Sequence, residues 1–183
     1  MIEIELKFKI NNKEKLMDKL TNELNCSFSD TVTQDDRVFL PIDKATYPIP
    51  VGLSVIRIRT ENSNKKLVTL KQKQKNRSAA KEIEFEINDS KEFFEFLKEF
   101  NYIEVVRIHK NRIYTKYKNF NICIDQVDKL GTIIEIERLT KSKDKIDEIE
   151  NEILKFAELL NIDINDKLNN RYDTLIYNIE HSN

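Results

Sequence analysis

The sequence predicts an α+β fold: a closed antiparallel β-barrel of eight strands with helices packed on its outside. Three observations lead there. The 183-residue chain contains repeated runs of apolar–polar alternation, the period of a half-buried strand. Helical patterns fall between groups of strands rather than after every strand, which favours antiparallel pairing. The polar faces of the strands are also sorted by sign of charge. A solvent-facing sheet gains nothing from that, because like charges on neighbouring positions repel.

The elements follow in order. Residues 2–10 alternate strictly, with Ile2, Ile4, Leu6, Phe8 and Ile10 on one face and Glu3, Glu5, Lys7 and Lys9 on the other. Leu16, Leu20 and Leu24 recur at helical spacing, which predicts a surface helix from Lys13 to Asn25. A polar stretch leads to a short strand at Val38–Leu40, and Pro41, Pro48, Pro50 and Gly52 mark the loop after it. Strands are predicted at Leu53–Thr60, Lys66–Gln74 and Lys81–Ile87. An Asp89-Ser90 cap opens a helix whose Phe93, Phe94, Leu97 and Phe100 read as core. Tyr102 to about Lys118 reads as extended, then Phe120–Val127, a turn at Gly131, and Thr132–Leu139. Helices are expected from Lys143 to Leu160 and over Asp166–Ile179. The length suits one domain, residues 1–183, of ordinary size.

Charge excludes several functions. Lys+Arg is 31 and Asp+Glu is 32, so nothing attracts the chain in bulk to nucleic acid or to an anionic membrane. No apolar run approaches ~18 residues. The first residues lack the basic-then-apolar layout of a secretion signal, and Cys26 and Cys123 form no CxxC pair. The expected setting is cytoplasmic. With two histidines and two glycines in the chain, a zinc cluster and a glycine-rich phosphate loop are both unsupported. His109 falls out of phase with Lys110 and Arg112 and is expected to point away from them. Phosphate, if bound, must be held by side chains.

The sorted faces supply those side chains. Arg57-x-Arg59, Lys71-x-Lys73 and Lys110-x-Arg112 are basic; Glu3-x-Glu5, Glu82-x-Glu84-x-Glu86 and Glu135-x-Glu137 are acidic. Closing the sheet with the charged faces inward lets the clusters compensate one another, and a barrel of ~8 strands holds one small ligand. Arg and Lys in such a lumen suit a polyanion. Paired carboxylates suit a hard divalent cation that also takes phosphate oxygens.

The same residues resemble a known family. Glu3-Ile4-Glu5-Leu6-Lys7 looks like the ExExK signature of the CYTH superfamily, the triphosphate tunnel metalloenzymes that include class IV adenylyl cyclases and thiamine triphosphatases. Gln34, Asp36 and Phe39 resemble its Q-x-D-x-Y-F segment, with Val38 in place of the Tyr. Ile56-Arg57-Ile58-Arg59 and Thr69-Leu70-Lys71 resemble two further strands. Lys110-x-Arg112, Ile124-Asp125-x-Val127-x-x-Leu130-Gly131 and Ile134-Glu135-Ile136-Glu137 follow in order, and Arg171-Tyr172 resembles the start of its last helix. The resemblance implies a metal-dependent enzyme acting on an inorganic or nucleoside triphosphate, with Mg²⁺ or Mn²⁺ as cofactor. Triphosphate hydrolysis is favoured; class IV adenylyl cyclase chemistry and a non-catalytic polyphosphate-binding module are the alternatives. It implies Lys71 as catalytic, Lys7, Arg57, Arg59, Lys73, Lys110 and Arg112 on substrate, and Glu3, Glu5, Asp125, Glu135 and Glu137 on metal. The partner expected is a small molecule, with neither nucleic acid nor membrane, and a homodimer stays open.

Overall fold

The computed structural model describes residues 2–73, 80–142 and 145–182. The chain divides into two compact units. The first holds Met1–Thr31 and Asn111–Asn169; the second holds Val32–Lys110 and Asn170–Asn183.

In the first unit, β1 (Ile2–Lys9), β7 (Phe120–Val127), β8 (Gly131–Thr140), the last part of β6 (Tyr102–Tyr117) and β9 (Lys167–Leu168) form a sheet in the order β6-β7-β8-β1-β9. The β1/β8, β1/β9 and β7/β8 ladders are antiparallel. Gly131 takes φ +84 at the β7–β8 turn, a conformation that costs glycine little. The apolar face of this sheet (Ile4, Leu6, Phe8, Ile122, Ile124, Ile134, Ile136) is buried under α1 (Lys13–Asp18) and α3 (Ile146–Leu159), through Leu16, Ile149, Ile153 and Phe156. Burying one such side chain is worth ~1.5–3 kcal/mol. This fixes the strand phase, because a slip by one residue would bring the charged face under the helices.

The second unit orders its strands β5-β4-β3-β2-β6, from β5 (Ala80–Ile87) through β4 (Lys65–Lys73), β3 (Ser54–Glu61) and β2 (Val32–Pro41) to the first part of β6. The β2/β3, β3/β4 and β4/β5 ladders are antiparallel. Here α2 (Ser90–Glu99) is capped by the Asp89 carboxylate, which accepts from the Lys91 backbone N–H. It packs Leu97, Phe93 and Phe94 on Phe39, Ile58 and Val68. The last helix, α4, spans Tyr172–His181.

An antiparallel sheet with helices on its apolar face matches the expectation; closure does not follow from the pairings. Among the described residues the hydrogen-bonded order ends on β5 and on β9, and the strands number nine because Lys167–Leu168 adds a short one beside Lys7 and Phe8. Other corrections are local. β2 starts at Val32 rather than Val38, because its buried face carries Gln34 and Asp36, which hide the alternation. The helix expected to Asn25 leaves α geometry at Asp18 and continues as a π-helical turn over Lys19–Glu23. The last helix begins at Tyr172 rather than Asp166, after a 3₁₀ turn at Ile164–Asp166 and β9. Phe100 is 61% exposed rather than core. It follows the last turn of α2, where Leu97 takes the core position, and leans on Phe96 with ring centroids 4.7 Å apart. No helix among the described residues is long and apolar enough to cross a membrane.

Candidate active site

In the second unit the basic pairs lie on cross-strand rows, where directly opposed residues interact. Asp36 stands across from Arg59. The pair is bidentate: Arg59 donates from Nε to Oδ1 at 2.6 Å and from Nη2 to Oδ2 at 2.8 Å. Both groups are buried. Burial by itself would raise the Asp36 carboxyl; the Arg59 fork, with Arg57 and Lys110, holds it below the ordinary aspartate range instead. The next row runs Arg57, Thr69, Glu84. Arg57 Nη2 donates to the fully buried Thr69 hydroxyl at 2.9 Å, which donates to Glu84 Oε2 at 2.7 Å. Burial first, then the like charge of Arg59, lowers the Arg57 guanidinium from its usual value. Lys71 lies across from Glu82 and pairs with it. Burial opposes ionisation of Glu82, but Lys71 prevails and its carboxyl titrates low. Lys110 is 3% exposed, and its ammonium sits 5.1 Å from the centre of the Tyr172 ring.

The first unit carries the acidic rows, Glu5–Glu137–Asn121 and Lys7–Glu135–Cys123 across β1, β8 and β7. Arg112 is at their centre. It forks onto Asp125, with Nε to Oδ1 at 2.6 Å, and donates from Nη2 to Glu135 Oε2 at 2.5 Å. Burial would lower the Arg112 pKa, yet Glu135 and Asp125 hold it well above the ordinary value. Lys7 Nζ lies 3.0 Å from Glu135 Oε1 and also pairs with Glu5. Glu137 differs from these. Burial, followed by the charges of Glu3 and Glu135, pushes its carboxyl up to about 7, and Glu3 shares a hydrogen bond with it. Burial likewise pushes the Cys123 thiol up to about 12, so it is an unreactive neutral group.

The structure thus gathers Arg57, Arg59, Lys71 and Lys110 in one unit, and Lys7, Arg112, Glu3, Glu5, Asp125, Glu135 and Glu137 in the other. The side chain of Lys73 lies outside the described residues. His109 is exposed, as its phase requires. The five acidic residues expected on a metal do not form one cluster. Arg112 takes Asp125 and Glu135, Lys7 takes Glu5 and Glu135, and Glu3 is left beside Glu137; no group of three ligands is arranged for a metal among the described residues. The Glu3–Glu137 pair fits a hard cation all the same. Mg²⁺ commonly uses only one or two carboxylates plus phosphate oxygens, and two like charges held in contact favour a cation or a proton. Sequence reasoning left Asp36 and Thr69 without site roles. The signal for Asp36 was its parity with Gln34 and Val38 on a strand that reads as a polar connector.

An antiparallel α+β fold with phosphate-type basic rows and an acidic pair defines a class, and comparison names it. The CYTH domain model matches residues 1–172, so the chain belongs to the CYTH family. It is 31% identical over 164 residues, 88% of this chain and 91% of the other, to the Methanocaldococcus jannaschii protein named "Putative adenylate cyclase MJ0240". Among solved structures it resembles the PH1012 protein of Pyrococcus horikoshii, with TM-score 0.78, 27% identity, and 95% and 99% of the two chains covered. It also shares its fold with a Hippeastrum protein described as having a dominant triphosphatase activity, at TM-score 0.60 and 16% identity over 88% of each chain.

Proposed function

We propose that this chain is a divalent-metal-dependent triphosphatase that hydrolyses a phosphoanhydride bond of a nucleoside or inorganic triphosphate. The observation that carries the proposal is the contrast between the basic rows of Arg57, Arg59, Lys71 and Lys110 and the acidic row that sets Glu5 opposite Glu137 across β1 and β8. In this reading residues 1–183 act as one domain. The charged faces act together in the closed barrel expected from strand phase.

Glu3, Glu5 and Glu137, with Glu135 and Asp125 behind them, would hold Mg²⁺ or Mn²⁺. The ion's chemistry is to neutralise phosphate oxygens as charge develops. Lys7, Arg57, Arg59, Lys73, Lys110 and Arg112 bind the phosphates. Asp36 fixes the plane of the Arg59 guanidinium, and Thr69 fixes that of Arg57. Lys71 faces the reacting phosphorus and offsets charge there, the larger part of phosphoryl-transfer catalysis. Water oxygen bonds to the terminal phosphorus, the bridging P–O bond breaks, and diphosphate and orthophosphate leave. The substrate is a small molecule met in the cytoplasm.

A second reading, class IV adenylyl cyclase, has one observation in its favour: the 31% identical relative carries an adenylate cyclase name. There the ribose 3′-hydroxyl replaces water and the whole diphosphate leaves. Incubation with ATP and with tripolyphosphate under Mg²⁺ or Mn²⁺, followed by product identification, tests both. Orthophosphate release supports hydrolysis and cyclic AMP supports the cyclase. Metal-dependent binding of tripolyphosphate with no product would leave only a binding module, and no binding at all would overturn the family reading of the site.

A further inference from the structure

A cavity of about 490 Å³ opens in the first unit beside Glu137, lined also by Ser27, Tyr114, Thr115, Lys116, Asn121 and Ile122. Its size falls in the ~300–1,000 Å³ range of small-molecule sites. Its chemistry differs from that of the basic rows. A phosphate site concentrates cations, as around Arg57 and Arg59; here one lysine is matched by one carboxylate. The remaining wall is an aromatic ring, an aliphatic side chain, two aliphatic hydroxyls and a primary amide. Those groups suit a flat, neutral, polar body.

Placement adds to this. Asn121 stands directly across from Glu137 in the β7/β8 ladder. Tyr114 lies two residues from Arg112 on β6, with its ring 5.8 Å from the Arg112 guanidinium carbon. The segment behind the cavity is pinned to β6: Ser29 N–H donates to the Tyr114 carbonyl at 2.9 Å, and Thr115 Oγ1 donates to the Ser27 carbonyl at 2.7 Å. The cavity is therefore walled by fixed backbone and continues from the acidic row.

We propose that this cavity is a specificity subsite for the organic end of the substrate, and that it takes the nucleobase of a nucleoside triphosphate. Resting on the function proposed above, it narrows the substrate class from any triphosphate to one with a heterocyclic head. The Asn121 amide presents a donor and an acceptor in one plane, the pattern that reads a base edge. The Tyr114 ring offers a stacking face of the kind on which bases are held in other sites. Neither group has a part in holding a bare phosphate chain.

The test compares kcat/KM for ATP, GTP, CTP and tripolyphosphate with Mg²⁺, using the full chain and the variants Tyr114→Ala, Tyr114→Phe, Asn121→Ala and Asn121→Asp. Wild type should prefer one nucleotide over tripolyphosphate by about tenfold or more. Tyr114→Ala and Asn121→Ala should each lose about tenfold on that nucleotide, mostly through KM, and stay within about twofold on tripolyphosphate. Tyr114→Phe should retain the preference, and Asn121→Asp should change which base is preferred. Equal losses on nucleotide and tripolyphosphate would reduce these residues to structural ones and overturn the subsite. So would a wild type that uses tripolyphosphate as well as any nucleotide, even though the triphosphatase reading would then stand. A wild type that neither binds nor cleaves any of the four overturns both.

Discussion

Asp36→Asn isolates the buried ion pair on which the basic rows rest. Asp36 is 2% exposed and Arg59 is 9% exposed. The amide keeps the carboxylate's shape but turns one acceptor into a donor, which meets an Arg59 N–H. The guanidinium charge then stays buried beside Arg57, which already carries a like-charge burden. Removing one partner of a buried pair costs ~3–5 kcal/mol. Asn retains one hydrogen bond, so a loss of about 3 kcal/mol is expected, which in a chain of this size lowers Tm by ~6–12 °C.

The pH dependence has a definite sign. The folded Asp36 carboxyl titrates below its ordinary value, so its stabilisation is present above about pH 4 and fades as pH falls through the folded value. The gap in Tm between wild type and Asp36→Asn, measured by circular dichroism, should be full at pH 7 and shrink below about pH 4. Arg59→Met added to Asp36→Asn should recover part of the loss, since an apolar group of similar size often replaces a buried pair without cost. A single variant that melts within a degree of wild type at pH 7, or a double variant worse than both singles combined, would refute this account of the pair.

Three other outcomes are expected. In chelator, wild type should lose stability as pH rises from 5 to 8, because the raised Glu137 pKa favours the protonated fold and that advantage disappears through about pH 7; discounted for solvent, it is worth about 1–2 kcal/mol, or a Tm change of about 4 °C that Glu137→Gln should abolish. Arg112→Met should strand Asp125 and Glu135 and lower Tm on the order of 10 °C at pH 7, with part of the loss recovered on acidification as the carboxylates take up protons. Lys71→Ala should lower kcat with little change in KM and should also free Glu82 to titrate higher, shifting the acid limb of the rate profile upward.

The sheet and its phase were legible because each strand of the first unit buries aliphatic residues on every second position; Ile122, Ile124, Ile134 and Ile136 leave no other register. The site was legible in sign, since Arg57, Arg59, Glu135 and Glu137 stand out as like-charged pairs. Pairing was not legible. Nothing in the spacing shows that Arg59 meets Asp36 or that Thr69 links Arg57 to Glu84, because those contacts depend on ladder register between strands far apart in sequence. β2 was shortened for the same reason: a strand that buries Gln34 and Asp36 against partners elsewhere has no apolar period to read. Nor does the spacing show that Arg112 and Lys7 share the carboxylates expected on a metal.

That competition bears on how the site works. An arginine held on its Nε–Nη2 edge by a buried carboxylate is fixed in orientation before any ligand arrives, so little side-chain entropy is left to lose on binding. A phosphate must approach Arg59 away from the edge that Asp36 occupies. The carboxylate is then a positioning group and not a rival of the substrate. The acidic rows leave the first unit charge-unbalanced, with carboxylates outnumbering cations around Glu137. In the second unit Arg57, Arg59 and Lys71 are each matched by a carboxylate. The acidic excess selects a cation and the preset guanidinium forks an anion, so metal and triphosphate should bind with mutual reinforcement. Titrating tripolyphosphate with and without Mg²⁺ should show affinity rising with metal in wild type. In Glu137→Gln that dependence should largely vanish, while metal-free binding to the basic rows persists. Equal metal dependence in both proteins would place the cation elsewhere and break the link between the raised Glu137 carboxyl and the function assigned to it.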